Sequence, residues 1–231
     1  MLAAPSHYLQ ATRISRRFSI RFAHSVSRRS WQLGSLQLQL HLTDDIVEKP
    51  PMGFCDVLIN PANEAMVGTR LPYFPMQVEP PPELRNSRWC GMEAGSKMFY
   101  AQQVVDGRVH AVGGSELKEA CLQLAEVSPG IRCPIGQAVM TPAVGGLSSF
   151  FSYIVHAVPP FYDSDDWEQS LESCWQASLE LASSLGSVVA SPLLGAGARG
   201  VPVHEASMVA LKTIQSWART NPRGWPGIVC I

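Results

Sequence analysis

From Leu36 to Leu42 the sequence LQLQLHL alternates apolar and polar side chains, the period of two that marks a half-buried strand. CDVLIN at 55 to 60 is an apolar run of strand length that ends in Asn60 and Pro61, and it predicts a second, central strand. Helical spacing begins at Val105: Val105, Val109 and Val112 share a face, and Leu117, Cys121 and Leu124 share another after the capping residue Ser115. Two short helices are expected there. QAVMTP (137 to 142) and FSYIVHAV (151 to 158) are rich in β-branched and aromatic residues and are separated by a Gly145-Gly146 turn, which predicts two more strands. Trp167, Leu171, Cys174, Trp175, Ser178, Leu179 and Ala182 then recur at helical spacing behind the capping acids Asp165 and Asp166, and the tryptophan stripe reads as core. SVVASPLL follows as a buried strand, GAGARG (195 to 200) as a loop, and residues 203 to 218 as a helix with Ala206, Ala210, Ile214 and Trp217 inward. GIVCI is a last strand. The alternation predicts a three-layer α/β/α fold with a mixed central sheet.

Residues 68 to 103 break this rhythm, with prolines at 72, 75, 80, 81 and 82 and the stretch WCGMEAG (89 to 95). They read as a long loop or insertion, and such lengths inside a compact domain are often functional lids. The chain has 231 residues, 46% apolar and 16% charged, enough for one core of ordinary size but not for two full domains. Its formal charge of −1 is segregated. Arg13, Arg16, Arg17, Arg21, Arg28 and Arg29 all precede the first acid, Asp44, so residues 31 to 231 carry 12 basic against 19 acidic residues, a formal charge of −7. A body this acidic is a poor nucleic-acid binder, and no nucleic-acid partner is expected. No apolar run reaches the roughly 18–20 residues of a membrane span, so no membrane partner is expected either. The six cysteines form no C-x-x-C pair and fit a reducing compartment. Residues 1 to 30 lack Asp and Glu and set Phe18, Ile20 and Phe22 among arginines and serines, a transit-peptide composition; a disordered basic tail has the same signature. Residues 31 to 231 form the domain proper.

The sharpest local chemistry is the order strand, glycine loop, helix around Gly195, Gly197 and Gly200. Small residues let backbone amides approach a ligand, and the next helix adds a positive dipole, a combination that holds phosphate. The loop also satisfies G-x-G-x-x-G, which raises a Rossmann dinucleotide site. Its context fails, because only one strand follows and the sequence about twenty residues on, RTNPRG, lacks the ribose-binding acid. A purely structural strand-to-helix turn uses the same glycines.

Six blocks, in order from about Leu36 to the chain end, resemble the macrodomain family in a divergent, MacroD-like, ADP-ribose 1″-phosphate-processing form. DDIV (44 to 47) resembles G-D-I-T; DVLINPAN (56 to 63) resembles V-N-A-A-N; VDGRVHAVGG (105 to 114) resembles V-D-G-A-I-H-R-A-A-G. CPIGQAVMTP resembles C-P-T-G-E-A-K-I-T, IVHAVPPFY resembles V-I-H-T-V-G-P-I-Y, and SPLLGAGARGVP resembles F-P-A-I-S-T-G-I-Y-G-Y-P. The resemblance implies that ADP-ribose, free or on a modified protein, is the ligand, with no cofactor and a monomeric protein.

The resemblance also assigns roles. Asp45, with Ile46 beside it, matches the position that accepts from the adenine amino group; a solvated turn acid is the competing use. Asn60 and Asn63 match the amides at the vicinal hydroxyls of the distal ribose; an Asx turn around Pro61 competes. Asp106 matches the acid that activates water near the anomeric carbon, with Asn63 as its catalytic companion, and an ordinary helix cap competes. Gly195, Ala196, Gly197, Ala198, Arg199 and Gly200 match the second phosphate loop. Arg199 departs from the aromatic found there in the family, and a guanidinium can pair with phosphate or point to solvent. AQQV replaces the glycine-rich first phosphate loop before Asp106, and Cys90, Gly91 and Gly95 are candidates to return in its place. Relatives continue past the last strand with residues that pack on adenine; ending at Ile231, the sequence is expected either to hold adenine less tightly or to be a shortened form. The histidines at 41, 110, 156 and 204 have no metal-like spacing and no metal is expected, with His156 read as a core residue. Cys55 and Cys230 read as inert core thiols.

The expected activity is therefore ADP-ribose binding, with mono-ADP-ribosyl hydrolysis or O-acetyl-ADP-ribose deacetylation at the distal ribose as its catalytic extension. A non-catalytic reader, a Rossmann-type enzyme and an inactive scaffold are the alternatives. The mitochondrion or plastid is the expected compartment, with the cytoplasm or nucleus as the alternative. Residues 1–40 fused to a fluorescent reporter are expected to carry it into an organelle, and a reporter that stays cytosolic would contradict the transit reading.

Overall fold

The computed structural model describes residues 29–68, 104–221 and 227–230. The extension before Arg29 and the segment 69–103, with Cys90, Gly91 and Gly95, lie outside the described residues. The described strands form one mixed sheet in the order β1 (Arg29–Leu33), β2 (Leu36–Leu40), β7 (Ile228–Cys230), β6 (Val188–Ala190), β3 (Cys55–Pro61), β5 (Phe151–Ala157) and β4 (Ala138–Pro142). From β2 to β5 the neighbours run parallel; β1 lies antiparallel on β2 and β4 antiparallel on β5.

The central strands are largely apolar because both faces are covered, with polar exceptions such as Asp56 and Asn60 of β3 and His156 of β5. Val57 and Ile59 of β3 enter one cluster with α2 (Trp167–Leu185) and α3 (Val203–Thr220), whereas Leu58 enters the other with α1 (Val105–Leu122). β5 repeats the division, with Val155 and Ala157 on the first side and Ile154 on the second, followed there by Val158 just past the strand. The result is the expected three layers, helix on both faces of a mixed sheet. The tryptophan stripe of α2 is core, with Leu171, Cys174, Trp175, Ser178, Leu179 and Ala182 all buried. On α3, Ala206, Ala210, Ile214 and Trp217 face inward as their spacing predicts.

Two elements, β1 and the end of β6, differ from expectation. β1 carries no period-two signal because, as an edge strand, it has almost no buried face; its residues are exposed apart from the half-buried Leu33. The two short helices expected from Val105 onward are found, meeting at Gly114, whose φ of 61° and ψ of −150° are not helical; they are labelled together as α1. The strand expected over SVVASPLL ends at Ala190. Pro192 offers no amide to a ladder, the Ser191 hydroxyl donates to the Pro192 carbonyl, and the chain turns into a loop in which Leu194 is still buried.

Two glycines let α1 meet the 3-10 helix Gly145–Ser149. A Cβ on Gly145, which has φ +58°, would stand 2.5 Å from the Gly113 carbonyl oxygen. Asp56, at the start of β3, ties the sheet from the other side, its Oδ2 accepting the amides of Ser187 and Val188 at 2.7 and 2.8 Å ahead of β6.

Among the described residues Trp175 is the largest fully buried side chain, and it stands between α2 and the sheet. Trp175→Ala is expected to cost about 3–5 kcal/mol of unfolding free energy, measured by denaturant titration. A loss below about 1 kcal/mol would mean that this layer packs elsewhere.

Candidate functional site

The C-terminal ends of parallel strands are where α/β folds gather ligands, because the loops there are free of the ladder. Here β3 and β5 pair with Asn60 opposite His156, and alternation turns both side chains towards α1. Asn60 is fully buried. Its Nδ2 donates to Asp106 Oδ1 at 2.8 Å and lies 3.3 Å from His156 Nδ1, while its Oδ1 meets no partner among the described residues. Asp106 is 2% exposed and sits in the first turn of α1, where the positive helix end favours a carboxylate. Val104 occupies the N-cap, so Asp106 is not the ordinary cap that competed with its catalytic reading. His110, one turn on, brings Nε2 to 3.7 Å from Asp106 Oδ1.

His156 completes the group. Its Nε2 lies 3.0 Å from Thr141 Oγ1 and 4.0 Å from Cys121 Sγ. Burial, and secondarily His110, pushes its imidazole down to about 3, so the ring is neutral. With Nδ1 accepting from Asn60, the ring proton is on Nε2, which donates to Thr141.

Asn63, also fully buried, follows β3 by two residues. Its Oδ1 accepts the Val67 amide at 3.3 Å and its backbone carbonyl accepts the Met66 amide at 3.1 Å. A local turn therefore uses one end of this amide, but it runs forward to Val67 and not around Pro61, where the Asx alternative places it, and Nδ2 remains without a partner among the described residues. Met66 holds φ 59° within that turn, a conformation unfavourable by about 1–2 kcal/mol for a residue with a Cβ, offset by its burial in the core.

Asp45 is half-buried beside Ile46. Oδ1 accepts the amides of Val47 and Glu48 at 3.0 and 3.1 Å, a turn-closing geometry. Oδ2 receives Nε and the Nη2 amine of Arg108, both at 3.3 Å, and Arg108 also pairs with Glu48. Arg108 is a residue that sequence reasoning missed. Only its place two residues after Asp106 in the quoted VDGR block could have drawn notice, since the arginine there replaces the alanine of the resembled motif.

The glycine loop lies after β6. Gly195 and Gly200 hold φ +81° and +78°, and the loop is closed by Gly200 N to Gly197 O and Val201 N to Gly195 O, both 3.0 Å. Ala196 donates to Leu193 O at 3.4 Å, whereas among the described residues the amides of Gly197 and Ala198 donate to no protein acceptor. With α3 starting at Val203, this is a backbone surface suited to an anion. Arg199 does not point to solvent. It is 3% exposed, its guanidinium lies 4.2 Å from the centroid of the Phe161 ring, and Nη2 donates to the Ala62 carbonyl at 3.3 Å. Arg199 thus links the glycine loop to the turn that carries Asn63.

The four described thiols are buried. Burial pushes Cys55 up to about 11 and Cys121 and Cys133 up to about 12, and raises Cys174 further, which keeps all four protonated. The Cys230 side chain lies outside the described positions. Among the described residues no cluster of His, Cys, Asp and Glu could hold a metal ion, and no helix is long and apolar enough to cross a membrane.

The family model described as Macro domain matches residues 93–210. A Macro domain-containing protein of Vibrio parahaemolyticus is 42% identical over 113 residues, 48% of this chain and 64% of that protein. Another from Xanthomonas axonopodis pv. citri is 32% identical over 120 residues, 51% of this chain and 65% of that protein. The matched stretch therefore spans less than two thirds of these relatives. Among solved structures, the Oceanobacillus iheyensis macrodomain with ADP superposes with a TM-score of 0.64 at 22% identity, covering 90% of this chain and 88% of that one. The Trypanosoma brucei macrodomain in complex with ADP-ribose gives 0.54 at 17% identity, covering 83% and 62%. At these identities the structures show a shared fold.

The depressed His156 has a consequence for stability. An unfolded histidine titrates near 6.5, so between about 6.5 and 3 the unfolded chain binds a proton that the folded chain does not. The stability tied to neutral His156 is complete above that window and drains as pH falls through it, by up to about 1.4 kcal/mol per pH unit. Urea unfolding between pH 7 and 4 is expected to show a steeper loss for the natural protein than for His156→Asn. Equal slopes would mean that the ring is not held neutral.

Proposed function

The chain belongs to the macro domain family, and from that premise we propose that it binds ADP-ribose, free or carried on a modified protein, and hydrolyses the bond at the distal ribose. The observation that carries this reading is the buried meeting of Asp106 with Asn60 at the end of β3, beside the spare Nδ2 of Asn63. Unpartnered buried amide groups are costly unless a ligand answers them, and a sugar hydroxyl, which both donates and accepts, suits an amide oxygen and an amide nitrogen together. The amides of Gly197 and Ala198 would receive the diphosphate, and Asp45 with Ile46 would lie at the adenine end.

In this mechanism a water attacks the anomeric carbon of the distal ribose and gives its proton to Asp106, while the bond to the leaving carboxylate breaks and the electron pair leaves with it. Asn60 holds one carboxylate oxygen in place, and Asn63 positions the sugar. Hydrolysis of a mono-ADP-ribosyl ester follows this step; in deacetylation of O-acetyl-ADP-ribose the water activated by Asp106 would attack the acetyl carbonyl carbon instead, the acyl C–O bond breaking with the ribose oxygen as leaving group. A second reading, binding without turnover, is favoured by Arg199. Its guanidinium is engaged by Phe161 and the Ala62 carbonyl, and an arginine does not supply the flat apolar face that an aromatic at this position would lay against the ribose.

Titration calorimetry is expected to show saturable heat with ADP-ribose and much less with AMP or NAD; no saturable heat with ADP-ribose would sink both readings. Asn63→Ala is expected to weaken ADP-ribose about tenfold, the effect of one buried hydrogen bond. Asp106→Ala is expected to slow release of ADP-ribose from a mono-ADP-ribosylated carboxylate by about a hundredfold or more. Full turnover by that variant would refute the mechanism, and no turnover by the natural protein despite binding would select the reader.

A further inference from the structure

Asn60 has one buried amide and two neighbours with demands on it. Asp106 is a carboxylate and, when ionised, only accepts. His156 Nδ1, in a ring whose other nitrogen lies 3.0 Å from Thr141 Oγ1, is placed to accept as well. Both acceptors fall on the same side of the amide, at 2.8 and 3.3 Å from Nδ2. An NH2 group has two hydrogens, so the two demands use both.

We propose that His156 is a positioning residue: together with Asp106 it locks the Asn60 amide in the single orientation that turns Oδ1 away from both of them, as a free acceptor for a sugar hydroxyl. The ligand class rests on the ADP-ribose reading above; the locked orientation does not. In the reverse orientation Oδ1 would face the Asp106 carboxylate at hydrogen-bond distance, oxygen against oxygen, and the imidazole Nδ1 would have no donor. Asp106 alone needs only one of the two hydrogens. His156 takes the other, and so removes the twisted rotamers in which a single Nδ2 bond would survive while Oδ1 swung off its target. The neutrality of the ring follows from its burial and is what leaves Nδ1 able to accept. The β3–β5 register supports the same assignment, since it sets Asn60 and His156 side by side and makes their contact a property of the sheet.

The end of β3 and the turn after it then carry two buried groups without protein partners among the described residues, an acceptor on Asn60 and a donor on Asn63. A vicinal diol can satisfy both: one hydroxyl donates to Asn60 Oδ1 and its neighbour accepts from Asn63 Nδ2. His156 itself touches no ligand in this scheme. It selects for a hydroxyl by fixing what Asn60 presents.

The test uses the full chain and three forms, the natural protein, His156→Leu and His156→Asn, titrated with ADP-ribose and with ADP, which lacks the distal ribose. Leucine removes the acceptor; asparagine can restore one near the place of Nδ1. His156→Leu is expected to lose about tenfold in ADP-ribose affinity while ADP changes by less than about twofold, and His156→Asn is expected to recover most of the loss. Unchanged ADP-ribose affinity in His156→Leu, or equal losses for both ligands in both variants, would overturn the proposal. A second measurement does not depend on variant folding or on any ligand. In the natural protein labelled with 15N, a hydrogen-bond coupling is expected between Asn60 Nδ2 and His156 Nδ1, and its absence would overturn the locked orientation. If the coupling is present but ADP-ribose does not bind, the ligand reading fails and the orientation stands.

Discussion

A carboxylate that is almost entirely removed from water must be answered by donors, and at Asp106 the answer is the Asn60 amide at 2.8 Å. Much of the site's architecture serves that contact. It needs a helix whose first turn lies over the end of β3, and α1 supplies it through Val109, Leu117 and Cys121 packed on the same sheet face as Leu58 and Ile154. It needs α1 to keep that seat, and the close approach of Gly113 to Gly145 lets the helix press onto the 3-10 segment beside it. It also needs Asn60 held against rotation, which its neighbour across the parallel register provides.

Two polar links hold the outer parts of the site to this centre. Arg108, on the same helical turn as Asp106, reaches back to Asp45 and Glu48 and so fixes the turn after β2 to the start of α1. Arg199 performs the matching task on the other side, joining the glycine loop to the backbone before Asn63. Stacking on Phe161 lets the guanidinium sit in an apolar setting that would reject a more strongly hydrated ammonium. The three loops after β2, β3 and β6 are thus braced by cations, although the domain carries an excess of acidic residues.

Legibility in the sequence followed burial. β2, β3, β5, α2 and α3 could be read because each has at least one face fully in the core, and burial on a face leaves a period. β1 could not, since an edge strand with exposed side chains has no such constraint. The end of β6 was misjudged because Leu193 and Leu194 continue the apolar run after the ladder has stopped; apolarity records burial, and a buried loop is as apolar as a strand. In the site, Asn60, Asn63, Asp106 and the glycine loop stood out by residue type and order. His156 looked like one more core residue, and Arg108 and Thr141 gave no signal, because their importance lies in what they touch.

The sequence by itself determined the class of fold, the inward faces of its helices and the positions able to present amides, a carboxylate and a glycine loop. These follow from periodicity and residue chemistry, which are local. Only the tertiary structure decided that the Asn60 amide meets Asp106 and His156, 46 and 96 residues further along the chain, and which end of that amide is left to meet a ligand. A hydrogen bond depends on distance and direction between groups that the sheet register and the seating of α1 bring together, and neither is encoded in the spacing along the chain.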